Sequence, residues 1–214
     1  MYQTILFDLD GTLTDPGEGI TNSVAYSLAK YGIEVPDRRA LYKFIGPPLY
    51  ESYMKFYGFS EVQAHEAVEY YREYYRPHGI FENRVYEGIP QLLASLKQAG
   101  LTLLVATSKP EGFSNQILEH FGLSQYFDFV AGSTLDGSRI RKGDVIAYAL
   151  AQSGVDPAGC LMVGDREHDV LGAGEHNIPC LGVTFGYGSL EELVCAGARA
   201  VVDDVDGISR FILG

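Results

Sequence analysis

Asp8 and Asp10 stand two residues apart directly after an apolar run, Thr4 to Phe7, and Gly11 follows at once. Two carboxylates this close repel each other unless a cation or a shared proton lies between them. The spacing therefore points to a metal site or an acid/base pair. In extended backbone side chains alternate with period two, so both acids lean to one side. A calcium loop starting at Asp8 is excluded, because that pattern wants glycine sixth and glutamate twelfth, where Leu13 and Gly19 stand. Three later stretches add complementary groups: Thr107-Ser108-Lys109-Pro110, Arg141-Lys142-Gly143 and Gly164-Asp165-Arg166-Glu167-His168-Asp169. A carboxylate to attack phosphorus, hydroxyls to hold its oxygens, and a cation and metal to offset charge are what phosphoryl transfer from a monoester needs. Each stretch alone has a plainer reading. Thr107-Ser108 could cap a helix, Lys142 could be a solvated lysine, and Asp165 and Asp169 suit a helix start. Their order, each beside an apolar strand or a helix start, argues for one shared site.

Such a site needs strands to deliver its residues. Thr4–Phe7 reads as a short buried strand, since its large apolar residues do not alternate with polar ones. From Gly88 onward strands and helices alternate. The strands are Leu101–Ala106, Phe127–Ala131, Cys160–Val163, Pro179–Thr184 and Ala200–Val202. The helices are Ile89–Gln98, Glu111–Phe121, Gly143–Gln152, Val170–His176, Leu190–Ala196 and Val205–Leu213. This alternation predicts an α/β fold, a Rossmann-like parallel sheet covered on both faces, with chemistry at the carboxyl ends of its strands. Between Pro16 and Gly79 no strand-like stretch occurs. Ile20, Val24, Leu28 and Tyr31 recur at helical spacing, Pro36-Asp37 opens a short helix to Phe44, and Leu49–Tyr57 ends at Gly58. Ser60 with Gln63 resembles a capping box opening a helix to about Tyr75, closed by Pro77. The expected division is a core of residues 1–14 and 84–214 with an all-helical cap, 15–83, inserted after the first strand.

The chain of 214 residues carries 16 basic and 28 acidic residues, a formal charge of -12. That field repels nucleic acid polymers, and no Lys/Arg-rich run offsets it. An anionic small substrate remains compatible, because surface charge is screened over about 8 Å at physiological salt. Cys160, Cys180 and Cys195 form no C-x-x-C pair and read as small hydrophobes in a reducing compartment. No basic n-region precedes an apolar stretch, and no apolar run approaches the roughly 20 residues of a membrane span. A cytoplasmic enzyme without membrane contact, monomer or homodimer, is the expectation.

Asp8-Leu9-Asp10-Gly11-Thr12, Thr107, Lys142 and Gly164-Asp165-x-x-x-Asp169 together resemble the four ordered motifs of the haloacid-dehalogenase-like hydrolases. The resemblance spans the core and implies a Rossmann-like core with a helical cap, and Mg²⁺-dependent hydrolysis through an aspartyl-phosphate. By the same resemblance Asp8 is the nucleophile, and Asp10 is the acid that protonates the leaving alcohol and then activates water. Thr107, with Ser108, holds the phosphate, and Lys142 bridges nucleophile and phosphate. Asp8, the Asp10 carbonyl and Asp165 would ligate Mg²⁺, with Asp169 either an outer-shell carboxylate or the one that orients the lysine. A hard cation of this kind takes a few oxygens and keeps its waters.

The second aspartate, Asp10, sets the sequence apart from the dehalogenases of the family, which have no alcohol to protonate. The stretches Thr107–Glu111, Gly132–Arg139 and Gly164–Asp169 resemble the bacterial branch of phosphoglycolate phosphatases and 5′-nucleotidase-like phosphatases, nearer the latter. Gly143 departs from the alanine usual after that lysine. The expectation is thus a phosphatase of small phosphorylated metabolites, nucleoside 5′-monophosphates among them. The alternatives are a phosphoglycolate phosphatase, a phosphosugar mutase and a non-catalytic phosphate-binding protein. Substrate choice should lie in the insertion, where ten of the 15 tyrosines fall between Tyr26 and Tyr75. Packing is their commoner use, and stacking on a nucleobase the sharper one. Phe44–Leu49, with Gly46-Pro47-Pro48, is either a plain helix terminator or a loop facing the core site. A phosphonate hydrolase would need a desolvated cap lysine, and nothing marks Lys30, Lys43 or Lys55 as one.

Overall fold

A computed structural model of the chain describes residues 2–214. In chain order the regular elements are β1 (Thr4–Phe7), β2 (Thr14–Asp15), α1 (Gly17–Ala29), α2 (Leu49–Tyr57), α3 (Glu61–Tyr74), β3 (Arg84–Val85) and α4 (Ile89–Gln98). They continue with β4 (Thr102–Pro110), α5 (Glu111–His120), β5 (Phe129–Ser133), α6 (Lys142–Ser153), β6 (Cys160–Gly164) and α7 (Glu167–Gly174). The last are β7 (Cys180–Val183), α8 (Leu190–Ala196), β8 (Ala200–Val202) and α9 (Val205–Leu213). Asp15–Arg84 form one compact unit, and Val85–Gly214 with the N-terminal stretch through Thr14 form the other.

In the larger unit six strands make one parallel sheet in the order β5-β4-β1-β6-β7-β8. Counting only these six along the chain, the order is 3-2-1-4-5-6, the doubly wound arrangement. The chain steps outward from β1 to β5, then returns to the other side of β1 at β6. The crevice beside β1 is therefore the switch point of the fold, where an open α/β sheet binds ligands. Being central, β1 must be apolar on both faces, and all four of its residues are buried. One face packs Leu6, Leu104 and Met162 on Val145, Ile146 and Ala149 of α6 and Val170 and Ala173 of α7. At roughly 25 cal/mol per Å² of apolar surface, this burial is what holds both helices to the sheet.

One strand differs from the sequence reading in a way that matters for the site. The apolar run ends at Ala106, but β4 continues to Pro110. Its pairing with β5 shifts register between Ala106 and Pro110, so a polar stretch is carried onward in extended form. α7 starts at Glu167 rather than Val170, because the Asp169 carboxylate accepts from the Arg166 amide at 3.0 Å and caps the helix earlier.

The smaller unit is helical among the described residues, apart from the ends it lends to β2 and β3. Residues 38–44 wind as a 3₁₀ helix, begun by the Asp37 carboxylate accepting from the Arg39 amide at 3.0 Å. Ser60 and Gln63 make the reciprocal capping box that starts α3, with bonds of 3.3 and 3.0 Å. Pro77 falls in a π-helical turn, Tyr75–Gly79, after α3. Tyr53, Tyr71 and Tyr75 are buried, with Tyr53 packed on Phe44 and Phe59 and Tyr71 stacked on Tyr75. These three are packing residues. Tyr26, Tyr31, Tyr70 and Tyr74 are half-buried, and their hydroxyls donate to Glu73, Glu66, Glu66 and Glu82 of the same unit. Lys30, Lys43 and Lys55 are all exposed, which leaves the phosphonate reading without a desolvated lysine. No helix of the described residues is long and apolar enough to cross a membrane.

Candidate active site

The carboxyl ends of β1, β4 and β6 and the start of α6 bring Asp8, Asp10, Thr107, Lys142, Asp165 and Asp169 into one buried cluster. The most exposed of the six is Asp10 at 8%. Lys142 is the first residue of α6, and its ammonium is the hub. Nζ lies 2.8 Å from Asp8 Oδ1 and 2.7 Å from Asp169 Oδ1, and it donates to the Ala106 carbonyl at 3.0 Å. Burial alone would lower the lysine's pKa. Asp169 and Asp8 beside it overturn that and hold it above the ordinary lysine value.

Asp165 directly follows β6 and is fully buried. Its Oδ2 accepts from the Tyr187 amide at 2.8 Å, while Oδ1 finds no hydrogen-bond partner among the described residues. Burial, then the charges of Asp169 and Asp8, push the Asp165 carboxyl well above the usual carboxylate range. Asp8, Asp165 and Asp169 each offer an oxygen within 4.8 Å of the others. Three carboxylates meet one ammonium here, so the cluster is short of positive charge. An all-oxygen donor set with an orphaned buried oxygen suits a hard divalent cation. Asp169 is committed elsewhere, to Lys142 and to the Arg166 amide. Asp8 and Asp165 are therefore the carboxylates better placed to ligate.

The loops permit this crowding through glycine. Gly11 turns the chain straight after Asp10 at φ +87°, and a Cβ there would lie 2.2 Å from Asp165 Oδ2. A Cβ at Gly188 would lie 1.9 Å from the Asp165 carbonyl oxygen. Because that neighbour is backbone, Gly188→Ala should cost about 1–3 kcal/mol of stability and displace Asp165. Gly143 offers the contrast. Its Cβ would meet Glu175 Oε2 at 2.1 Å, the tip of an exposed side chain that can swing away. The loss is the exposed Arg141–Glu175 pair at 2.8 Å, worth about 0–1 kcal/mol. Helix propensity offsets it by about 1 kcal/mol. Gly143→Ala should thus stay within about 1 kcal/mol of the parent in urea denaturation, and equal losses for the two variants would contradict this account.

Ser108 is half-buried, and among the described residues no hydrogen bond links it to the cluster. Lys109 takes the place a period-two count from Thr107 would give it. It is buried, its amide donates to Thr107 Oγ1 at 3.2 Å, and its ammonium contacts Asp10 Oδ2 directly. Burial raises the Asp10 carboxyl, and Lys109 opposes that rise. His176 is a packing residue, with Nε2 2.8 Å from the Gly143 carbonyl.

A doubly wound α/β sheet whose switch point gathers acids, a hydroxyl and a buried lysine has the groups that phosphoryl transfer from a monoester needs. The family model described as haloacid dehalogenase-like hydrolase matches residues 5–183, and the chain belongs to that family. It is 52% identical over 192 residues to a 5′-nucleotidase of Pseudomonas aeruginosa, covering 90% of this chain and 87% of that protein. It is 45% identical over 186 residues to the tyrosine-protein kinase PtkA of Mycobacterium tuberculosis, covering 87% of this chain and 63% of that one. The solved structure of a predicted phosphatase from Clostridium acetobutylicum superposes with a TM-score of 0.97 at 54% identity, covering 100% of this chain and 99% of that chain. Family and relatives class the chain as a phosphoric monoester hydrolase.

Proposed function

We propose that the chain hydrolyses small phosphomonoesters, nucleoside 5′-monophosphates foremost, through an aspartyl-phosphate on Asp8. The observation that carries this reading is the buried Asp8–Lys142–Asp169 chain beside the unpartnered oxygen of Asp165. Asp8 attacks phosphorus, and the P–O bond to the alcohol breaks as Asp10 supplies its proton. Asp10 then takes a proton from water as that water attacks the aspartyl-phosphate, releasing phosphate and restoring Asp8. Thr107 accepts from the Lys109 amide, which leaves its own hydrogen free to donate to a phosphate oxygen. Lys142 neutralises Asp8 and the incoming phosphate, and Asp169 holds the lysine in place. Asp8, Asp165 and the Asp10 carbonyl would hold Mg²⁺, which when bound offsets the repulsion between carboxylate and phosphate.

Substrate choice is assigned to the helical unit, since the cluster addresses only phosphate. The 5′-nucleotidase relative favours a nucleotide. An aspartyl-phosphate can pass its phosphoryl group to water or to another hydroxyl, so a relative named as a kinase is compatible with the same first step.

The test is phosphate release from nucleoside 5′-monophosphates, phosphoglycolate, sugar phosphates and pyrophosphate, with Mg²⁺ and with chelator. Mg²⁺-dependent release, fastest from a nucleotide, is expected. No release from any of them would overturn the hydrolase reading, and isomerisation of a sugar phosphate without release would favour the mutase.

Metal binding has its own readout. At ten times its dissociation constant a cation bound only to the folded state adds roughly 1.4 kcal/mol. For a chain of this size that is a Tm rise of roughly 3–6 °C. Asp165→Asn should remove the rise; a rise undiminished in that variant would place the cation elsewhere.

A further inference from the structure

The Lys109 side chain has no part in the scheme above, yet it is one of two lysine side chains buried at this edge of the sheet. Its ammonium contacts Asp10 Oδ2, and the side chains are 6% and 10% exposed. The other oxygen, Asp10 Oδ1, is buried and without a hydrogen-bond partner among the described residues. A carboxylate turns easily about its last torsion, whose energy is broad and two-fold. A buried charged contact removes that freedom, because breaking it would leave both charges unpaired in a poorly solvated place.

We propose that Lys109 is the positioning residue of Asp10, gripping Oδ2 so that Oδ1 is the oxygen turned to the leaving group and to the attacking water. This rests on the reading of Asp10 as acid and base. The sequence supplies the grip through the extra length of β4. The strand continues past its apolar run, and the register shift against β5 sets Lys109 beside Thr107 rather than at a helix start. One stretch thereby places the phosphate-facing hydroxyl and the clamp on the acid. A stability role explains the placement poorly, since buried ion pairs contribute little net stability compared with apolar replacements. Orientation explains it, since a misplacement of about 1 Å in a reacting group can cost about 10²-fold in rate.

The test is a double-variant cycle on p-nitrophenyl phosphate hydrolysis with Mg²⁺ saturating, comparing Lys109→Met, Lys109→Arg, Asp10→Asn and Lys109→Met/Asp10→Asn. Lys109→Met should lower kcat by about 100-fold with KM held within about threefold. Lys109→Arg, which keeps a cation at Oδ2, should recover at least about tenfold of that loss. In the Asp10→Asn background the Lys109→Met change should cost less than about twofold, because a residue acting through Asp10 has nothing left to orient. The same 100-fold loss in that background would show Lys109 acting on the substrate directly and overturn the proposal. A raised KM with unchanged kcat would overturn it too. If Lys109→Met fails to fold for want of a partner to Asp10, the double variant contains no such unpaired charge, and its comparison with Asp10→Asn, together with Lys109→Arg, decides the question. Failure of the underlying functional reading is seen separately, as wild-type protein that releases no phosphate or as Asp8→Asn that still does.

Discussion

Asp8→Asn should abolish phosphate release, lowering kcat by at least about 10⁴-fold, while the circular dichroism spectrum and the cooperativity of unfolding should stay those of the parent. The substitution changes one oxygen for an amide nitrogen in a buried site and alters no volume. The amide cannot form the acyl-phosphate, so the first half-reaction has no nucleophile. The fold should survive, because Lys142 keeps Asp169 at 2.7 Å and the Ala106 carbonyl at 3.0 Å. Loss of one of the three clustered carboxylates also relieves Asp165 of a repulsive neighbour. Stability should therefore hold or rise slightly. Rapid acid quench after mixing wild type with labelled substrate should trap base-labile phosphate on the protein, and Asp8→Asn should trap none. Residual hydrolysis above about 1% of wild type, free of contaminating phosphatase, would remove Asp8 from the nucleophile's role.

Some of this site was legible in the sequence, and the physical reason is locality. Thr4–Phe7 is a short apolar run that a central parallel strand requires, and the acids follow it within the same stretch. Ser60 and Gln63 meet because they lie three residues apart on one helix turn. Lys142 is marked by the helix start it occupies. The role of Lys109 is not legible in the sequence, because its place depends on β4 continuing beyond the last apolar residue. That extension is held by pairing with β5, whose register only the folded sheet fixes. Adjacency to Thr107 makes Ser108 a candidate second phosphate ligand in the sequence. In extended backbone adjacent side chains point opposite ways, and Lys109 takes the nearer position. The Tyr187 amide that holds Asp165 has no signature in sequence, because every residue except proline carries such a donor. The order of strands is also invisible to alternation alone, although it is what makes β1 the switch point.

Lys142→Met should be the most destabilising single change at the cluster, and it should lose activity for a separable reason. The ammonium is 4% exposed between the Asp8 and Asp169 carboxylates, and methionine keeps most of the side chain's length while removing its charge. Three buried carboxylates would then face one another with no cation among them. Breaking a buried pair by deleting one partner costs about 3–5 kcal/mol. For a chain of this size that is a Tm fall of roughly 6–20 °C. The raised Lys142 value fixes where this loss is felt. A lysine whose pKa lies above 10.5 in the fold contributes its pairing in full below that value, and loses it only as pH rises through the higher folded one. The stability gap from wild type should therefore be complete throughout the neutral range. Activity should fall by at least about 10³-fold, since the charge that offsets the phosphate is gone. The two losses come apart in Lys142→Met/Asp169→Asn. Removing the carboxylate that the lysine held should restore at least about 1 kcal/mol, measured by urea denaturation, and restore no phosphate release. If that double variant were as unstable as the single one, the cost would lie in packing around residue 142 rather than in unpaired charge, and Asp169 would not be the partner that holds Lys142.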